Sequence, residues 1–148
     1  KYRMCVWDFN SACDFYREPS KYDMFEIQNC LWYVMLFKDR DFTDRVIERY
    51  GELRKTYLSE DYIYSFIDDT VEYLGDAVDR NFQVWGYSFA EEYDFLKLDE
   101  RNPRTHKEAV QQIKDYLKVR LGWIEENIDI LSQYSSESKV KKFNENAN

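Results

Sequence analysis

The side chains able to carry chemistry converge on one short stretch, Cys5-Val6-Trp7-Asp8-Phe9-Asn10. Three apolar residues precede Asp8 and a fourth follows it. A carboxylate at the end of a buried strand is costly unless it is paired, hydrogen-bonded or bound to a cation. Two environments meet that demand. One is a turn whose backbone N–H groups bond the carboxylate. The other is Mg²⁺, which takes hard oxygen ligands and is commonly held by one or two carboxylates. The residues alone leave both open.

Other candidates offer less. Cys5, Cys13 and Cys30 form no C-x-x-C pair, and His106 is the only histidine, so a Cys/His zinc site lacks material. The thiols read as free and partly buried, with no signal for a Cys5–Cys13 disulfide. His106 lies at a helix start, away from any cysteine, and reads as an exposed residue, not a base. Asp68-Asp69 and Glu91-Glu92 are adjacent acids. Adjacent helical residues point about 100° apart, so Asp68 and Asp69 do not readily share an ion and read as a solvated face. Arg120, beside Leu121 and Trp123, falls near the apolar stripe of a long helix. A partly buried guanidinium needs an acidic or carbonyl partner, so a structural ion pair is expected.

The composition narrows the function classes. At 148 residues the chain fits one domain or most of one. Hydrophobic residues at 44%, with 18% aromatic, supply a core and exclude a disordered chain. A net charge of −8 argues against non-specific nucleic-acid binding. Lys139, Lys141 and Lys142 form too small a basic group to reverse this. No apolar run approaches the ~20 residues of a membrane span.

The elements that must position Asp8 follow from the spacing. Residues 2–9 are rich in strand formers and read as a short strand. Residues 10–21 carry loop formers. A first helix is expected from Ser20 onward, apolar on every side over residues 31–37 and therefore buried. Asp41 is the expected cap of a second helix, in which Gly51 suggests close packing. Ser59 caps a third, whose apolar face runs from Ile63 to Val78. Thr105 and Glu108 form a capping box for a fourth, which continues to Leu131 and spans roughly 40 Å. Most aromatics fall on inner faces and read as core. The fold class is mainly α, one short N-terminal strand and about four helices. Residues 1–134 form the body and residues 135–148 a polar, frayed tail. The strand finds no in-chain partner, so the chain reads as the later part of a longer domain. The unpaired strand is also a candidate surface for self-association.

The order of these features resembles the C-terminal part of the CotH family, the kinase-like spore coat protein H domain. Four pieces carry the resemblance. "VWDFN" at residues 6–10 is similar to a family strand ending in W-D-[FY]-D. "LFKDRDFTDRVIERYGELR" at residues 36–54 is similar to a family helix junction with Leu, Asp and Phe that leads into an Arg-rich helix. "RNFQVWG" at residues 80–86 and "IKDYLKVRLGWIEENI" at residues 113–128 follow in the family's order. The resemblance implies the helical C-terminal lobe of a kinase-like fold. In it, Asp8 would be the metal-holding Asp, with Asn10 as a second candidate ligand, and Mg²⁺ and ATP as cofactors. Arg80, Trp85, Arg120 and Trp123 would be structural. Asn10 stands where the family has a second acid; its carbonyl oxygen is a ligand without charge. The partners implied are ATP and a protein substrate, and the setting a bacterial spore coat or cell surface. The phosphate-covering loop, the phosphate-pairing Lys and the catalytic acid would precede Lys1, so the chain alone is expected to be inactive. The alternative is a catalytically silent structural or interaction domain.

Overall fold

The computed structural model describes Phe25, residues 31–85 and residues 103–138. Among the described residues the chain is mainly helical, with no strand. The expected strand at residues 2–9, the loop after it and residues 86–102 lie outside them. Five α-helices follow in order: α1 (Leu31–Leu36), α2 (Arg40–Arg54), α3 (Glu60–Leu74), α4 (Ala77–Trp85) and α5 (His106–Asn127). A 3-10 helix, Ile128–Tyr134, closes the series.

The caps explain most of the boundaries. Asp39, not Asp41, caps α2: its carboxylate accepts the Phe42 N–H at 3.0 Å, while Asp41 sits in the first turn. Either acid suits a helix N-terminus, but only the residue with extended backbone can turn its side chain onto the third amide. Ser59 caps α3 as expected, accepting the Tyr62 N–H at 3.2 Å. Thr105 accepts the Glu108 N–H at 3.1 Å. The Glu108 carboxylate reaches back one residue further than in the usual box, to the Arg104 N–H at 2.6 Å.

Two breaks depart from the expected helices. The apolar face from Ile63 to Val78 is split at Gly75, whose φ of 46° ends α3 and lets α4 start in a new direction. A residue with a side chain adopts that φ only with strain. At the far end, α5 tightens into the 3-10 helix at Ile128 and does not continue as one α-helix to Leu131.

Burial is concentrated where α2, α5 and the 3-10 helix meet. Among the described residues, Leu121, Ile128 and Leu131 are the buried apolar ones, and Thr43 on α2 is wholly enclosed. Each such apolar side chain contributes about 1.5–3 kcal/mol relative to exposure. The 3-10 helix packs on α2, and α3 packs on α5.

Three packing expectations fail. Residues 31–37 are not enclosed by the described helices: Leu31 and Trp32 are 74% and 76% exposed. An apolar surface on every side states that a helix can be covered, not that its neighbours in sequence do the covering. Gly51 is exposed and a Cβ there would meet nothing within 4 Å, so close packing is not its reason. Aromatics of the expected apolar stripes, Tyr57 and Phe66 among them, lie on the surface.

Candidate functional site

Asp8 and Asn10, the sequence candidates for metal binding, lie outside the described residues, as do Cys5, Cys13 and Cys30. The four structural candidates are described. Arg120 and Trp123 share one face of α5, three residues apart, with the guanidinium 5.3 Å from the indole ring centroid. At that distance a cation is attracted by the ring face. Phe25 lies against the same indole, ring centroids 4.8 Å apart and tilted by 53°. Trp123 thus joins the N-terminal part of the chain to α5. Arg80 and Trp85 lie on α4 and are exposed, Trp85 at 78%. The structure does not describe α4 meeting Trp123.

The polar side chains of the described helices fix their mutual placement. At the start of α2, Asp39 holds two partners. One carboxylate oxygen accepts the Phe42 N–H and the other accepts the Ser138 hydroxyl. The Ser138 bond, followed by the Phe42 bond, lowers the Asp39 pKa. Backbone bonds run alongside: Arg40 N–H to the Ser136 carbonyl and Ser136 N–H to the Lys38 carbonyl, both 3.0 Å. They make a parallel bridge that seats residues 135–138 against the α1–α2 junction. Beneath it, the buried Thr43 hydroxyl lies 3.1 Å from the Phe37 carbonyl and 3.0 Å from the Asp39 carbonyl.

Further along α2, Tyr50 donates its hydroxyl to the Leu121 carbonyl at 2.9 Å. Burial raises the Tyr50 pKa. One turn on, Arg54 places Nε and Nη2 on one Glu125 carboxylate oxygen, at 3.1 and 2.9 Å, and donates Nη1 to the Leu58 carbonyl. A planar guanidinium is suited to such multiple donation. Between α3 and α5, Tyr64 donates to the Lys114 carbonyl at 3.2 Å, and the Lys114 ammonium pairs with Asp68. Burial raises the Tyr64 pKa too. Asp68, half of the adjacent acid pair, is therefore an inter-helix partner as well as an exposed residue.

These shifts bear on chemistry. Asp39 moves down while Tyr50 and Tyr64 move up, all away from neutrality. A general acid or base works best near the operating pH, so these three groups serve as fixed donors and acceptors. Among the described residues no group of three or more His, Cys, Asp or Glu could hold a metal ion. No described helix is long and apolar enough to cross a membrane. His106 opens α5 with its ring 6.3 Å from that of Phe82, a contact the sequence reading missed. The Asp39 cap could have been found from its place three residues before Phe42. The α2–α5 pairings join residues 71 apart and leave no local sign.

The family described as "CotH kinase protein" matches residues 1–124. No curated protein and no solved structure matches the chain.

Proposed function

The chain belongs to the CotH family, and from that membership we propose that it provides the metal-holding part of a kinase-like phosphoryl-transfer site. The observation that carries the reading is the extent of the match, which takes in Asp8 and Asn10 as well as α2, α3 and most of α5. Asp8 supplies a carboxylate and Asn10 a carbonyl, both hard oxygen donors of the kind Mg²⁺ accepts. Mg²⁺ held there with ATP would supply charge neutralisation at the phosphates. The protein's share of such chemistry is positioning. Asp8 holds the cation's place and Asn10 adds an uncharged oxygen. The substrates are ATP and a protein acceptor, and the setting is a bacterial spore coat or cell surface.

A second reading has its own support. Asn10 brings no charge to the site, and exposed aromatics such as Trp32, Tyr73 and Trp85 suit an interaction surface. On that reading the domain is a silent scaffold.

Phosphate transfer from γ-labelled ATP separates the two. In the longer protein of which the chain reads as the later part, Asp8→Ala is expected to lower transfer by about 100-fold or more, the scale of losing one transition-state electrostatic contact. Asn10→Asp is expected to lower the Mg²⁺ concentration needed for half-maximal rate. Transfer unchanged in Asp8→Ala removes Asp8 from the mechanism. No transfer by that longer protein, with acceptor and Mg²⁺ present, favours the scaffold.

A further inference from the structure

The turn between α2 and α3 opens into a cleft of about 570 Å³ lined by Thr56, Tyr57, Ser59, Asp61, Tyr62 and Ser65. We propose that this cleft binds a cationic side chain, the guanidinium or ammonium of a basic partner. The proposal does not depend on the phosphoryl-transfer reading.

Three observations carry it. First, Tyr57 and Tyr62 stand edge to face, ring centroids 5.3 Å apart and planes at 89°. Yet the two rings remain 62% and 48% exposed. Two perpendicular rings make a corner whose π faces attract a cation. Second, the corner is held in place before any ligand arrives. Ser59 donates to the Thr56 carbonyl at 2.7 Å and accepts the Tyr62 N–H at 3.2 Å. The residue that caps α3 therefore also fixes the backbone turn between the two tyrosines, which reduces the ordering cost of binding. Third, the charge is of the matching sign. Asp61 lines the cleft and Glu60 precedes it, both in the first turn of α3. The two carboxylates outweigh the partial positive charge of that helix end, so the net field there favours a cation over an anion. The chain's net charge of −8 adds long-range attraction for basic partners. The protein already uses the same pairing internally, with Lys114 5.5 Å from the Tyr64 ring centroid and Arg120 over Trp123.

The test uses the 148-residue chain and two small probes, N-acetyl-arginine amide and its neutral analogue N-acetyl-citrulline amide. Binding is followed by aromatic-ring NMR shifts. The arginine probe should move the Tyr57 and Tyr62 signals, and the citrulline probe should not. Tyr62→Leu and Asp61→Asn should each weaken arginine binding by about 3-fold, the scale of an exposed cation–π or ion contact. Asp69→Asn, on α3 but outside the cleft, should leave it unchanged. N-acetyl-lysine methyl amide distinguishes ammonium from guanidinium; binding by either supports the site. Equal binding of the citrulline probe overturns the proposal. So does arginine binding that Tyr62→Leu and Asp61→Asn leave intact, because general attraction to an acidic chain would then account for it. Asp61→Asn is a surface change, so its result stands even if the Leu variant unfolds.

Discussion

Replacing Thr43 with valine tests whether hydrogen bonding or packing holds the α1–α2 junction. The two side chains have nearly the same shape, so the exchange leaves the volume filled and removes only the hydroxyl. That hydroxyl is wholly enclosed, and it faces two carbonyls, Phe37 at 3.1 Å and Asp39 at 3.0 Å. The Asp39 carbonyl keeps another donor, the Thr43 N–H at 3.0 Å. The Phe37 carbonyl loses this one. The expected cost is the desolvation penalty of one acceptor, about 1–2 kcal/mol. In a chain of this length that lowers Tm by about 3–6 °C. Thr43→Ser keeps the hydroxyl and loses one methyl, at about 1 kcal/mol. Urea unfolding followed by circular dichroism at 222 nm measures both through the midpoint at constant slope. Valine should be as destabilising as serine or more so. A valine variant as stable as the natural chain, with serine clearly weaker, would show that the site is held by packing and refute the reasoning.

Three further outcomes follow from the same geometry. Because the Asp39 pKa is lowered by Ser138 and Phe42, its contribution is present above the ordinary carboxylate value near ~3.9 and is lost as pH falls through the folded value. Acid unfolding of Asp39→Asn should therefore be less steep below pH ~4. The Tyr50 pKa is raised, so the sign is reversed. Its contribution is complete below the ordinary tyrosine value near ~10 and is lost above it as pH rises through the folded value. Tyr50→Phe should flatten alkaline unfolding while lowering neutral stability by about 1 kcal/mol. Finally, Gly51→Ala should raise stability by about 0.5–1 kcal/mol, since the helical site has room. Gly75→Ala should lower it by about 1 kcal/mol or more, because φ is positive there. Thermal melts of the two variants should move in opposite directions.

What could be read from the sequence was local. Ser59 and Thr105 announced their helices because a cap acts over three residues. The helical class followed from apolar spacing, and the family resemblance from four short stretches that the match over residues 1–124 supports. What escaped reading was non-local or relational. Tyr50 and Arg54 look like ordinary stripe and surface residues until α5 is placed beside them. Gly75 was hidden because the apolar period continues across it to Val78, although the backbone does not. Residues 31–37 misled because hydrophobicity specifies removal from water but names no partner. Asp8 and Asn10 lie outside the described residues, so the structure adds no geometry to what the sequence suggests.

The bridge between Asp39 and Ser136, with Ser138 bonded 99 positions from its carboxylate partner, turns the stretch between them into a closed circuit. Its two ends emerge side by side. A segment with that property can be spliced into a surface loop of another protein without prising its host apart. It can also be opened elsewhere and rejoined across the bridge. A permutant cut in the turn at Gly75, with residues 37 and 138 linked by a short Gly-Ser connector, should retain the Tyr50–Leu121 and Tyr64–Lys114 contacts. In evolutionary terms the same bridge brings two places far apart in the chain, residues 38–40 and 136–138, to one point.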